Sequence, residues 1–107
     1  MAQTITRDNL KAATDNKITV IDFWASWCGP CKIMDPIFEE LEQEFAGKIN
    51  FGKLNVEDNQ DLAEQFKVMS IPSLVVFKNG EAKEKVSGLY PKDKLANYLN
   101  KKLTEMA

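Results

Sequence analysis

The sequence predicts an α/β fold, a central mixed five-stranded sheet flanked by four helices in the order strand, helix, strand, helix, strand, helix, strand, strand, helix. Three observations predict it. Apolar runs of strand length alternate with amphipathic stretches of helical period. The dipeptide Asn79-Gly80 between two such runs marks a hairpin. A chain of 107 residues with 44% hydrophobic residues can bury one ordinary core but not two, so a single domain over 1–107 is expected.

In order, Ile5 begins a short edge strand, and Thr6 reads as the cap of a short helix over Arg7–Thr14, with Leu10 and Ala13 on one side. A turn follows at Asp15-Asn16-Lys17. Ile18–Trp24 is a nearly unbroken apolar, β-branched and aromatic run, the composition of a central strand buried on both faces. From Cys31 to Phe45, residues Ile33, Ile37, Phe38, Leu41 and Phe45 recur at helical spacing, while Glu39, Glu40, Glu42 and Glu44 mostly take the other side. Gly47 reads as the C-cap, and Pro36 removes one backbone hydrogen bond, which predicts a bend. Ile49–Val56 forms the next strand, and Asn59–Phe66 a short helix with Leu62, Ala63 and Phe66 inward. Ser73–Lys78 and Glu81–Ser87 form the hairpin. A final helix after Pro91 presents Leu95, Tyr98, Leu99 and Leu103, with Lys101 and Lys102 near the negative end of its dipole. The leading strands are expected to run parallel through right-handed crossovers and the last ones antiparallel, with helices on both faces.

Composition excludes several classes of function. The formal charge of -2 comes from 14 basic and 16 acidic residues without long runs of either sign, so neither a nucleic-acid stripe nor an acidic tail is expected. No apolar segment has the length of a signal core or a membrane span, which suggests a cytoplasmic protein with no membrane association. There is no histidine, which removes Ser-His-Asp and Cys-His hydrolysis and most zinc catalysis.

Both cysteines lie in Trp27-Cys28-Gly29-Pro30-Cys31, where the apolar strand gives way to the long helix. The unpaired N–H groups and positive dipole end of a helix start favour a thiolate on the first cysteine, so the motif points to redox chemistry. A half zinc knuckle is the alternative, but it needs two further ligands that no other Cys or His supplies. The motif also lies past the carboxyl end of a central parallel strand, where open α/β sheets place their sites.

Further residues extend the pattern in order along nearly the whole chain. They are Asp22-Phe23-Trp24-Ala25 leading into Trp27-Cys28-Gly29-Pro30-Cys31-Lys32, then Pro36, Lys53-Leu54-Asn55-Val56, Ile71-Pro72, Phe77-Lys78-Asn79-Gly80 and Gly88. This set resembles the thioredoxin family. The resemblance implies the thioredoxin fold and the reduction of disulfides in other proteins. It also implies recycling by an NADPH-dependent thioredoxin reductase, with no bound cofactor beyond a redox-active Cys28–Cys31 disulfide. A monomer is expected.

Within that reading, Cys28 is the exposed nucleophile and Cys31, one turn deeper, resolves the mixed disulfide. Gly29 and Pro30 set the redox poise: Pro30 stiffens the turn, and neither residue brings a charge or a hydrogen-bonding side chain. Asp22 within Val20-Ile21-Asp22-Phe23-Trp24 is expected to be buried with a raised pKa and to exchange a proton with Cys31; a solvated sheet face is the alternative. Lys53 is either the partner of Asp22 or an ordinary surface lysine. Trp27 is expected to be a contact surface and Trp24 to pack beneath the site.

The resemblance implies a cis Ile71–Pro72 bond, with the Ile71 backbone pairing with substrate, and room for a substrate chain at Gly88. Asp35, Ser87 and Pro91 depart from the family pattern, and Ser87 bears on partner preference. Two other functions compete: a redox-inert docking module using Trp27, Ile71 and Gly88, and an oxidase or isomerase of the same fold. Intact cysteines count against the first, and Gly29-Pro30 with no export signal against the second.

Overall fold

Thr19 to Phe23 are all buried, because strand β2 (Thr19–Trp24) is covered by helices on both faces and paired along both edges. The computed structural model describes residues 2–15 and 18–107. Around β2 stand β1 (Gln3–Thr4), α1 (Leu10–Thr14), α2 (Gly29–Glu44), β3 (Asn50–Asn55), α3 (Gln60–Gln65), β4 (Ser73–Lys78), β5 (Glu81–Ser87) and α4 (Lys92–Glu105). The sheet order is β1-β3-β2-β4-β5, parallel from β1 to β2 and antiparallel from β2 to β5. This is the thioredoxin fold, with the element order read from the sequence.

The pleat of β2 feeds two cores. Val20 joins Met34, Phe38, Leu41, Phe51, Leu95 and Leu99 between the sheet and α2 and α4. Ile21 and Phe23 join Ile5, Leu54, Leu62, Val75 and Phe77 on the opposite face, where Leu10, Ala13 and Phe66 close over them. Asp22 therefore shares the face of Val20, toward α2.

Several boundaries differ from the sequence reading. β1 ends before Ile5, although the Ile5 N–H still donates to the Lys53 carbonyl at 2.8 Å. The first helix begins at Leu10 rather than Arg7. The reason is Asn9, whose Oδ1 accepts from the Thr6 N–H and whose Nδ2 donates to the Thr4 carbonyl, both at 2.8 Å, closing a turn ahead of the helix. The expected turn at Asp15-Asn16-Lys17 lies, for Asn16 and Lys17, outside the described residues. In α2 the buried stripe is Cys31, Met34, Phe38 and Leu41, while Ile33 is 57% exposed. Two apolar stripes overlap along this helix, and periodicity alone cannot select the one that faces the sheet.

The hairpin matches its expected bounds, with Asn79 at φ 52 and Gly80 at φ 81, the left-handed pair that a tight two-residue turn requires. α4 is tied to β5 through Lys102, whose Nζ donates to Glu84 at 2.6 Å and to Glu105 at 2.7 Å. The bond from Lys102 and one from the Tyr98 hydroxyl hold the Glu84 carboxyl below its ordinary pKa.

Gly52 carries a packing requirement. A Cβ there would stand 2.6 Å from Cγ1 of Ile5, itself 1% exposed in the core. Gly52→Ala is expected to destabilise the protein by about 1–3 kcal/mol through this overlap, read as a lower urea midpoint at unchanged slope. An unchanged midpoint would show that Ile5 repacks freely.

Candidate active site

β2 delivers the chain to the motif at its carboxyl end, and α2 starts within the motif at Gly29. Cys28 is the N-cap of α2, with extended backbone, and its Sγ accepts from the Cys31 N–H at 3.2 Å. Gly29 and Pro30 fill the first turn, where the absent proline N–H costs nothing. The two cysteines form a disulfide with their Cα atoms 5.3 Å apart. The sulfur of Cys28 thus sits where an N–H and the positive helix end stabilise negative charge once the bond is reduced.

Cys28 was expected to be exposed, yet it is 4% exposed and Cys31 2%. Packing explains this: Ala25 joins the cysteines in a small cluster that Trp24, Val56 and Ile71 cover. The exposed residues of the motif are instead Trp27, at 70%, and the Gly29-Pro30 pair. Trp24 packs against the cysteines, as expected of it.

Asp22 is fully buried, and among the described residues neither carboxylate oxygen has a hydrogen-bond partner. Burial pushes its pKa up to about 7; the positive charge of Lys53 opposes the rise, and the negative charge of Asp35 adds to it. Lys53 is the register partner of Asp22 on β3. Its ammonium nevertheless pairs with Asp35 Oδ1 at 2.7 Å and lies 5.0 Å from the centre of the Trp24 ring. Lys53 thus acts on Asp22 through its charge, while its hydrogen bond goes to Asp35.

The Ile71–Pro72 peptide bond is cis, and the Pro72 carbonyl accepts from the Gly88 N–H at 2.9 Å. Among the described residues, neither the amide nor the carbonyl of Ile71 has a hydrogen-bond partner within the chain. Gly88 adopts φ 105, a conformation that excludes most side chains, and the nearest atom to a Cβ placed there is 3.9 Å away on Tyr90. Ser87 Oγ lies 3.1 Å from Ser73 Oγ, below this loop.

Sequence reasoning missed two features. Glu57 holds the loop ahead of the motif by accepting from the Ser26 N–H at 2.7 Å and the Ser26 hydroxyl at 2.8 Å, bonds that also lower the Glu57 pKa. A contact across 31 residues leaves no local signal. Met69, 91% exposed, lines a groove of about 410 Å³ with Trp27, Val56, Val68 and Ile71, and Glu57 and Glu64 stand at its rim. Its spacing from Ile71 was the available clue.

Residues 2–101 match the family model described as Thioredoxin. The chain is 46% identical over 99 residues to the thioredoxin of Staphylococcus saprophyticus, 43% to that of Staphylococcus epidermidis and 42% to that of Staphylococcus aureus. In each case the match covers 92% of this chain and 95% of the relative.

Proposed function

The chain belongs to the thioredoxin family and is a protein thiol–disulfide oxidoreductase whose redox group is the Cys28–Cys31 disulfide; from that premise we propose that it works as a reductant of other proteins' disulfides. The observation that carries the direction is the modest support at the Cys28 sulfur. Among the described residues it accepts one hydrogen bond, from the Cys31 N–H, and no side chain donates to it. A thiolate held by the helix start and that one N–H, with no charged side chain to stabilise it further, leaves the reduced form the better electron donor.

In the proposed reaction the Cys28 thiolate attacks one sulfur of a substrate disulfide, and the electron pair of the broken bond leaves on the other. Asp22 takes the Cys31 proton. Cys31 sulfur then attacks Cys28 sulfur, the Cys28–Cys31 bond forms, and the second substrate sulfur departs and is protonated. The free amide and carbonyl of Ile71, beside the cis Pro72 and the open Gly88, support main-chain pairing with an extended substrate segment. Trp27 and the groove beneath it supply apolar contact. An NADPH-dependent thioredoxin reductase returns the electrons. The protein acts as a monomeric single domain in the cytoplasm; among the described residues no helix is long and apolar enough to cross a membrane.

The direct test is equilibration of the dithiol with glutathione redox buffers. A potential well below that of glutathione is expected, and an oxidising one would reverse the proposed direction. Cys31→Ser is expected to accumulate mixed disulfides through Cys28 on incubation with oxidised protein substrates, visible as thiol-sensitive bands on gels. Free release of those substrates would remove Cys31 as the resolving group.

A further inference from the structure

The reaction above leaves Asp35 without a role. Asp35 stands four residues after Cys31, hence on the same face of α2, and its carboxylate holds the Lys53 ammonium at 2.7 Å. Lys53 and Asp22 are register partners, so both side chains leave the sheet toward α2. The lysine that faces the buried acid is thus engaged elsewhere, and among the described residues both oxygens of Asp22 stay without a partner. The Asp35 and Lys53 side chains, 47% and 28% exposed, line a cavity of about 200 Å³ with Phe38, Glu39 and Glu42. A pair this open to water stabilises the fold little, so stability does not account for its placement beside a buried acid.

We propose that Asp35 is a positioning residue for the resolving step: it holds the Lys53 ammonium at the surface cavity, keeps Asp22 free of a hydrogen-bonded cation, and so sets the pH range over which Asp22 takes the Cys31 proton. The inference rests on Asp22 as the acid–base group of that step. The proton leaves Cys31 sulfur for an Asp22 oxygen, and no electron moves until the Cys31 sulfur attacks. The charges acting on Asp22 are Lys53 from β3 and Asp35 from α2, while β4 places the uncharged Leu74 opposite it. Glu39 and Glu42 add negative charge at the cavity beyond the pair. Removing the Asp35 charge acts twice in one direction. Its repulsion disappears, and Lys53 is released to turn toward Asp22.

The experiment titrates the Asp22 side-chain carboxyl by carbon NMR in the wild type, in Asp35→Asn, in Lys53→Met and in the double variant. It also measures the single-turnover rate of mixed-disulfide resolution against pH for the wild type and Asp35→Asn. In Asp35→Asn the Asp22 midpoint is expected to fall by about one pH unit. The rate profile is expected to move down with it, and most of the shift should vanish when Lys53→Met is the background. An unmoved Asp22 midpoint overturns the role of Asp35 and leaves Asp22 in place. A moved midpoint with an unmoved rate profile removes Asp22 from the reaction and the proposal with it. A full shift that survives Lys53→Met means that Asp35 acts by its own charge alone, which overturns the positioning.

Discussion

Cys28→Ser is expected to bring reduction of a disulfide-bonded protein such as insulin down to the rate of the chemical reductant alone. Serine is isosteric, but its hydroxyl stays protonated near neutral pH, so the helix start has no anion to stabilise and no nucleophile to present. The fold should survive. Serine is a favoured N-cap and can accept the Cys31 N–H as sulfur does. The lost disulfide closes a sequence separation of only 3, which limits its contribution to about 2 kcal/mol. Turnover by insulin reduction and far-UV circular dichroism on the same sample check both statements. Native dichroism with undiminished turnover would hand the nucleophile's role to Cys31, which its 2% exposure argues against.

The second large effect is on stability and its pH dependence. Asp22 titrates near its ordinary carboxylate value in the unfolded chain and at about 7 in the fold, where burial opposes its charge. Between those values the native state holds a proton that the unfolded state has lost. Unfolding free energy therefore falls as pH rises, by roughly 1.4 kcal/mol per unit, and levels off above pH 7. From pH 5 to pH 8 this one residue is expected to remove about 2–3 kcal/mol. Asp22→Asn, which stays neutral throughout, should abolish that decline and be more stable than the wild type by a similar amount at pH 8. Urea titrations of both proteins at pH 5 and pH 8 measure it. Equal stability differences at the two pH values would mean that Asp22 titrates alike in folded and unfolded states. The same variant should resolve mixed disulfides more slowly, so gained stability and lost rate would arise from one buried charge.

Much of the architecture was legible because its determinants are local. The hairpin followed from Asn79-Gly80, whose positive backbone angles few other residue pairs accept. The central strand followed from an apolar run that only burial on two faces explains, and Asp22 within that run followed with it. The first helix was misjudged at its start because Asn9 bonds backward to Thr4 and Thr6, an alternative to helix that side-chain amides offer and that propensity does not register. Gln3–Thr4 pairs for only two residues, too short for any periodicity to mark.

The order of strands and helices, the cysteines at a helix start, the acid in the central strand and the proline ahead of the next are all written locally along the chain. Each depends on neighbours within a turn of helix or a pleat of strand. Packing between elements selects the stripe of α2 that faces the sheet, sets Trp24, Val56 and Ile71 against the cluster that holds Cys28, and lets Glu57 hold Ser26. It also decides that Lys53 pairs with Asp35 rather than with Asp22. Lys53 has two carboxylates to choose from, and register brings it beside one while side-chain reach and access to water favour the other. That choice arises between elements and has no signature along the chain.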